Sequence, residues 1–373
     1  MIINTRYGEM EIPEVDDLIF NSLKLYGEWA QNEIDVLSNF IKEGDYVIDV
    51  GAFIGTHSRA FSSLVGPKGK VLVFEPNPII LPFLRTNIEK STYKNIELYP
   101  YALGNKKGKA RLYIKNNQNL GSASLQNKNY ETFKQYNDME PTELEVNIIT
   151  LDELNLNKVD FIKIDAEGFE LYVLEGAKKT IEKFKPIIFS EINFMDNGYK
   201  ILDWALSYNY SIYGVLTDAF NPYNYNKSIE NIFGNAKESG LLLIHNETKT
   251  IYEEKIKTIK LPKIENLDDL AILLFCKPQY VVEYIDISNK NEEDSLYICF
   301  LQNNLQSQLE IEKQEKNSLQ KKLGELESEL HNLQSQLEIE KQEKNSLQKK
   351  FEEVEDELVK IYLSKSWRIT RPL

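Results

Sequence analysis

The sequence predicts an α/β fold: a doubly wound, mostly parallel Rossmann-like sheet, followed by a long C-terminal α-helical coiled coil. Three observations carry that prediction. Short apolar runs alternate with helix-period segments from Tyr46 to Ile192, as βαβ units require. The first run leaves through a turn with two glycines four apart, Gly51 and Gly55. Near residue 300 the composition changes to a stretch, 302–360, with no proline and one glycine, Gly324.

The elements follow in order. Residues 27–41 read as a helix, with Ile34, Leu37 and Ile41 on one face, ending before Gly44. Strands are predicted at 46–50, 71–74, 96–99, 159–164 and 187–192. A helix begins near Thr56, another after Asn77-Pro78 carries Leu81, Leu84 and Ile88, and a third spans 169–184. The polar section 105–141 holds a strand at 111–114, and 146–151 leads into the fourth main strand. Later apolar runs at 210–215, 241–244 and 271–275 are expected to complete the sheet.

The 28-residue offset between Asn304–Lys322 and its unchanged copy at Asn332–Lys350 is four heptads. Leu309, Leu323, Leu330, Leu337, Phe351 and Leu358 then take position a. Leu305, Leu319, Leu326, Leu333, Leu347, Val354 and Ile361 take position d, and Glu312, Lys316, Glu340 and Lys344 interrupt the seam once per repeat. About 60 helical residues reach about 90 Å, longer than a domain of this size, so an oligomeric coiled coil is expected, dimer and trimer both open. The organisation is therefore an N-terminal segment and helix (1–44), a catalytic-type domain (45–285), a linker (286–300), the coiled coil (301–361) and a basic, aromatic tail (362–373).

Composition narrows the function. With 44 Lys and Arg against 58 Asp and Glu, the net charge of −14 argues against a nucleic-acid partner. Two cysteines, Cys276 and Cys299, give no disulfide framework, no signal-peptide pattern opens the chain, and no apolar run reaches 18 residues. A cytoplasmic protein is expected.

The segment Asp45-Tyr-Val-Ile-Asp-Val-Gly-Ala-Phe-Ile-Gly-Thr56 carries most of the chemistry. Its glycines bring the backbone close to a ligand and leave a helix N-terminus facing it. The next strand ends in Glu75, a carboxylate able to accept from both ribose hydroxyls. A dinucleotide site would need G-x-G-x-x-G, but Phe53 and Ile54 fill that region and there is no Walker lysine. Asp-x-Gly-x-x-x-Gly suits S-adenosylmethionine (SAM), whose amino-acid end needs less room than a pyrophosphate; the bland alternative is a degenerate, non-binding fold. In the fourth main strand Lys163 is predicted to be buried, and it needs a carboxylate: Asp165, Glu167 or Glu191. That set reads either as an ion-pair network holding the loop or as part of the substrate machinery.

The ordered series Asp49-Val-Gly-Ala-Phe-Ile-Gly55, Phe74-Glu-Pro-Asn-Pro78, Ala102-Leu-Gly104, Thr150-Leu-Asp-Glu-Leu154, Lys163-Ile-Asp-Ala-Glu-Gly-Phe-Glu170, Leu174-Glu-Gly-Ala177 and Ser190-Glu-Ile192 resembles the FkbM-type family of SAM-dependent O-methyltransferases. The likeness covers residues 28–193 and weakens towards 278. It implies a class I methyltransferase sheet, with Asp49, Gly51, Ala52, Phe53 and Gly55 along the methionine part of SAM, Glu75 on the ribose, and Ala102 and Leu103 beside the adenine. Phe53 stands where many members carry a small polar residue. Lys163, Asp165, Glu167 and Glu170 match the signature after the fourth strand.

Methyl transfer from a sulfonium needs alignment and a base for the hydroxyl proton. Asp165 is the first candidate base, His57 the second, with Lys163 and Glu167 beside them. Three histidines (His57, His245 and His331) are too few for a His-rich metal site. Asp165, Glu167 or Glu191 could take Mg²⁺, but the expected set is SAM without a metal. Asn221-Pro-Tyr223 reads as a turn. The aromatic set Trp204, Tyr208, Tyr210, Tyr213, Phe220, Tyr223 and Tyr225 is mainly packing, with one or two offered as sugar contacts.

The end, Ser364-Lys-Ser-Trp-Arg-Ile-Thr-Arg-Pro-Leu373, resembles a tail on bacterial enzymes that build surface polysaccharides. Lys360, Lys365, Arg368 and Arg371 with Tyr362 and Trp367 suit an anionic membrane surface or a glycosyltransferase partner. The expectation is a homo-oligomeric O-methyltransferase acting on a sugar hydroxyl of a glycan or glycolipid, peripheral to the inner face of the membrane. The rival is a non-catalytic domain on a coiled-coil tether.

Overall fold

The computed structural model describes residues 1–15, 17–114, 123–125, 142–278 and, further on, 320, 322–324, 328, 330–331, 333–334 and 336–363. The chain divides into two units, 1–288 and 289–373. In the first, β1 (Ile2–Thr5) and β2 (Gly8–Glu11) precede α1 (Leu18–Tyr26) and α2 (Gln31–Ser38). Then come β3 (Tyr46–Val50), α3 (Thr56–Val65), β4 (Lys70–Phe74), α4 (Leu81–Glu89), β5 (Ile96–Tyr99), β6 (Ala102–Leu103), β7 (Gly108–Ile114) and β8 (Thr142–Ile149). The chain continues through β9 (Phe161–Ile164), α5 (Glu170–Gly176), α6 (Lys178–Phe184), β10 (Ile187–Glu191) and α7 (Met195–Ser207). It closes with β11 (Tyr210–Asp218), β12 (Lys237–His245), α8 (Glu253–Thr258), β13 (Lys263–Ile264) and α9 (Leu267–Phe275).

The main sheet has eight strands in the order β13-β11-β12-β10-β9-β3-β4-β5. Pairing is parallel from β10 through β9, β3 and β4 to β5. β12 runs against both its neighbours, β10 and β11, and β13 runs against β11. From β3 the chain steps outward to β4 and β5; from β9 it steps the other way. The order thus reverses between β3 and β9, the place where open α/β sheets receive ligands.

Apolar runs such as Val47-Ile48 and Val71-Leu-Val-Phe74 are buried on both faces, which is why the strands do not alternate. One face packs against Val173 and Leu174 of α5, Ile181 of α6, Ile201 of α7 and Leu270 of α9. The opposite face packs against Leu37 of α2, Phe61 and Val65 of α3, Leu84 of α4 and Ile256 of α8. Helices on both faces make the sheet doubly wound and Rossmann-like. A third cluster joins Met10 and Ile12 to Phe20, Leu23, Ile54 and Ile80, binding the N-terminal hairpin to the domain.

Three expectations are corrected. Residues 271–275 are not a strand but the end of α9. Asn266 caps that helix by accepting from the N–H groups of Asp268 and Asp269, and both aspartates sit in its first turn. The helix expected over 169–184 is two helices meeting at Ala177. Gly176 lies so close to Gly104 that a Cβ would stand 1.9 Å from its carbonyl oxygen, while Asp152 accepts from the N–H groups of Lys179 and Thr180 at the second start. Finally, the helix expected over 27–41 is only Gln31–Ser38, since a left-handed Gly27 caps the end of α1; 241–244 joins the sheet as expected, in a reversed strand, and the hairpin of β1 and β2 had no counterpart in the sequence reading.

In the second unit, residues 336–363 form one continuous helix with Leu337, Leu347, Phe351, Val354, Leu358 and Ile361 all exposed along it. The linker 286–300, the first repeat up to residue 319 and the tail 364–373 lie outside the described residues. Among the described residues, no helix is long and apolar enough to cross a membrane.

Candidate active site

Two loops cross at the switch point. Gly51 leaves β3 with φ 76°, and its N–H and that of Ala52 donate to the Phe74 carbonyl at 2.9 and 3.2 Å. A Cβ on Gly51 would lie 1.7 Å from the carbonyl oxygen of Asp165, so only glycine lets the loops after β3 and β9 touch. Gly55, at φ 90°, turns the chain into α3, and a Cβ there would press on Leu84 at 2.8 Å.

On the β4 side the carboxylate of Glu75 is almost fully buried. Its Oε2 accepts from the Phe53 N–H and its Oε1 from the Asn77 N–H, both at 2.8 Å. Each oxygen keeps a lone pair for a further donor. Burial outweighs those two bonds and, with Asp49 and Asp165 nearby, pushes the carboxyl up to about 7. Phe53 sits in the left-handed region at φ 51° and stacks on Phe20 at 5.4 Å, so its ring lines the cavity and leaves it open.

Lys163 occupies the centre, 2% exposed. Its ammonium is 3.0 Å from Asp165 Oδ2 and 3.9 Å from Asp49 Oδ1. Asp49 Oδ2 accepts the hydroxyl of Ser58 at 2.5 Å, tying β3 to α3. Burial opposes a charged lysine, but Asp165, Asp49 and Glu33 raise its pKa. Burial would likewise raise Asp165, yet Lys163 and a hydrogen bond from Glu191 hold it at about 2. Glu191 is pushed well above the carboxylate range by burial and by the neighbouring Asp165. Glu170 accepts from the N–H groups of Ala166 and Gly168 and from the Asn197 amide, which fixes the loop carrying Asp165.

Beyond β9, the His57 Nε2 meets Glu33 Oε1 at 3.0 Å, both side chains buried. Glu238, from the reversed strand, is raised to about 7 by burial against the opposing pull of Lys277. The Lys277 ammonium donates to Asn193 Oδ1 at 2.6 Å. Trp29, at the corner before α2, completes that end.

These groups line one cavity of about 340 Å³ along the carboxyl ends of the strands. Of the residues singled out in the sequence, Gly51, Ala52, Phe53, Glu75, Ala102, Leu103, His57, Lys163, Asp165 and Glu167 are on its wall. Asp49 and Gly55 are not, which corrects the expectation that they line it: Asp49 is fully buried behind Lys163 and Ser58, and Gly55 serves the turn. None of the seven downstream aromatics reaches the cavity; Trp204 stacks on Tyr208 at 4.5 Å and packs against Tyr210. Asn221 accepts from the Tyr223 N–H, the turn expected there. Trp29, Glu33, Asn77, Asn193 and Glu238 went unnoticed because each lies far in sequence from the motifs or within one without an evident role. Among the described residues, no group of three or more His, Cys, Asp or Glu is placed to hold a metal ion.

The residues fit SAM. Glu75 offers free lone pairs to a ribose, a buried amide donor on Asn77 lacks a partner, and the wall holds more carboxylates than cations, which suits a ligand bearing a sulfonium and an ammonium. Residues 49–212 match the family model described as the methyltransferase FkbM domain. Over 58 residues the chain is 34% identical to a protein-L-isoaspartate O-methyltransferase of Methanothrix thermoacetophila, covering 16% of this chain and 28% of that protein. It is similar to a solved FkbM methyltransferase of Methylobacillus flagellatus, with 16% identity and TM-score 0.36, over 53% of this chain and 43% of the other. A SAM-dependent O-methyltransferase of Thermotoga maritima gives 14% identity and TM-score 0.35, over 66% and 77%. The chain thus spans 28% of the length of the first of these proteins and 43% of the second. The family match, over residues 49–212, is thus to a methyltransferase domain of the FkbM type and takes in the loops that carry Gly51, Glu75 and Asp165.

Proposed function

We propose that this chain methylates a sugar hydroxyl of a surface polysaccharide or its precursor, working as an oligomer held by its C-terminal repeat. The observation that carries the reading is the extent of the cavity. It runs from β4 past β3, β9 and β10 to β12, four strand steps or about 19 Å at ordinary strand spacing. Glu75 and Gly51 suit the cofactor's share of that length. The rest of the wall includes an aromatic residue, Trp29, and several side chains able to bind hydroxyls: Glu33, His57, Glu191, Asn193 and Glu238. An aromatic face with convergent polar groups is a carbohydrate's complement. The likeness of the tail 364–373 to surface-polysaccharide enzymes supports the same class.

When bound, SAM supplies an electrophilic methyl on a good leaving group. The chain must then align the acceptor oxygen and take its proton. Asp165, held at about 2 by Lys163, is a poor base and serves better as a hydrogen-bond acceptor that orients. His57 is better placed: Glu33 fixes the proton on Nε2, leaving Nδ1 to accept. Glu33 and His57 are therefore assigned the base, with Asp165 and Lys163 setting the geometry.

Labelled SAM offered with neutral glycan extracts and free sugars tests the reading. Label recovered as a sugar methyl ether supports it; label found only on protein or nucleic acid overturns it. For the oligomer, the exposed seam Leu337, Leu347, Phe351, Val354, Leu358 and Ile361 supports self-association. Deleting 300–373 should give a monomer in sedimentation equilibrium that still binds SAM; an oligomer of unchanged size would remove the repeat's role.

A further inference from the structure

The C-terminal repeat carries charges inside its own apolar seam, and their order is informative. Every described apolar residue at a or d, from Leu323 to Ile361, is exposed, and so are the seam's Glu340 and Lys344. An apolar stripe of that length calls for a partner. Each copy of the repeat holds one glutamate at d and one lysine at the next a: Glu312 with Lys316, then Glu340 with Lys344. Residues 305–319 lie outside the described residues and enter by sequence alone.

Helix direction decides what those charges meet. In a parallel pair a faces a and d faces d, so each of the four would face its own kind. In an antiparallel pair a faces d. With two chains crossing at Ser328, Lys316, twelve residues before it, faces the partner's Glu340, twelve residues after it. Lys344 faces the partner's Glu312 in the same way, sixteen residues out on either side. The apolar layers match as well: Leu319 meets the partner's Leu337, Leu326 the partner's Leu330, and Phe351 the partner's Leu305. A crossing at Gln342 would instead leave Glu312 and Lys316 without opposite charges. The parallel pair would gain rim contacts, Lys322 with the partner's Glu327 and Lys350 with the partner's Glu355. Exposed pairs of that kind contribute little, whereas like charges held face to face oppose association. One chain does not fold back on itself there, since Gly324, Ser328, Leu330 and His331 are helical.

We infer that the seam docks on a second copy of this chain as an antiparallel dimer crossing at Ser328. The inference deepens the oligomer of the proposed function and rests on it. It also decides the number of strands, because an antiparallel pair is two-fold and closed. The two chains enter the rod from opposite ends, about 70 Å apart at Leu305 by helical rise.

The test is double electron–electron resonance on the full chain, spin-labelled through Ser328→Cys or Gln342→Cys, with Cys276→Ser and Cys299→Ser in both. The two labelled positions are exposed and stand outside a and d, so the labels leave the seam intact. Labels at 328 should lie about 25 Å apart, the width of two adjacent helices. Labels at 342 should lie about 45 Å apart, because each is displaced along the rod from its counterpart by the 28 residues that separate 342 from 314. Short distances at both positions would show parallel helices and overturn the inference. A long distance at 328 with a short one at 342 would show the other crossing and overturn it as well. Chains that sediment as monomers, with no dipolar coupling at either position, would instead sink the self-association on which the inference rests.

Discussion

The two ends of the cavity hold their polar groups in different ways. At the β4 end, Glu75 is set by two backbone N–H groups and the Asn77 amide by a third. Along the rest of the wall, side chains hold one another: Glu33 with His57, Asp165 with Glu191 and Lys163, Lys277 with Asn193. Backbone fixes a shape and leaves little to vary, which suits a cofactor that never changes. Paired side chains move protons and can be exchanged one at a time, which suits an acceptor and its chemistry. Lys163 belongs to both, since Asp49 behind β3 and Asp165 beside the acceptor end depend on the same ammonium.

Breaking that shared support should therefore have the largest effect. Lys163→Met leaves the fully buried Asp49 and the partly buried Asp165 unneutralised and should cost about 3–5 kcal/mol at pH 7 in urea unfolding. A variant within 1 kcal/mol of wild type would show that the ends do not share a support. Gly51→Ala forces a side chain into φ 76° and against the Asp165 carbonyl, for about 2–4 kcal/mol and weakened cofactor binding.

His57→Gln separates the ends. It should lower kcat about 100-fold or more while leaving S-adenosylhomocysteine affinity within threefold. Equal losses in affinity and rate would place His57 in cofactor binding instead. Ser58→Ala removes a hydrogen bond to Asp49 from behind the wall, and about 1 kcal/mol of stability with little change in rate is expected.

What was legible in the sequence follows the same division. The cofactor end is written in short stretches, Asp49 to Thr56 and Phe74 to Pro78, whose glycines and prolines specify a local turn wherever they occur. Gly51 and Glu75 could be placed from them. Even there, the motif named Asp49 and Gly55 without revealing that one braces Lys163 and the other only turns the chain. The acceptor end is assembled from α2, β10 and β12, far apart in sequence, and nothing local marks Glu33 or Glu238. Reversal of β12 was equally hidden, because an apolar run reads alike in either direction. The α9 helix was legible: Asn266-Leu-Asp-Asp269 before an apolar run is a helix-start pattern that five apolar residues alone do not show.

The central claim is that Glu75 receives the nucleoside as a carboxylate. In the free protein its pKa, about 7, lies above the ordinary carboxyl value. Its contribution to folding is therefore full at low pH and declines as pH rises from the unfolded value through 7. Hydroxyl donors favour the charged form, so binding expels a proton below pH 7. Calorimetry of S-adenosylhomocysteine on wild type and Glu75→Gln at pH 5.5, 6.5 and 8 tests it directly. Wild-type affinity should rise about tenfold per unit up to pH 7 and then level, with proton release below it, while Glu75→Gln binds weakly at every pH. A pH-independent wild type, or a Glu75→Gln variant that binds as tightly, would contradict the account.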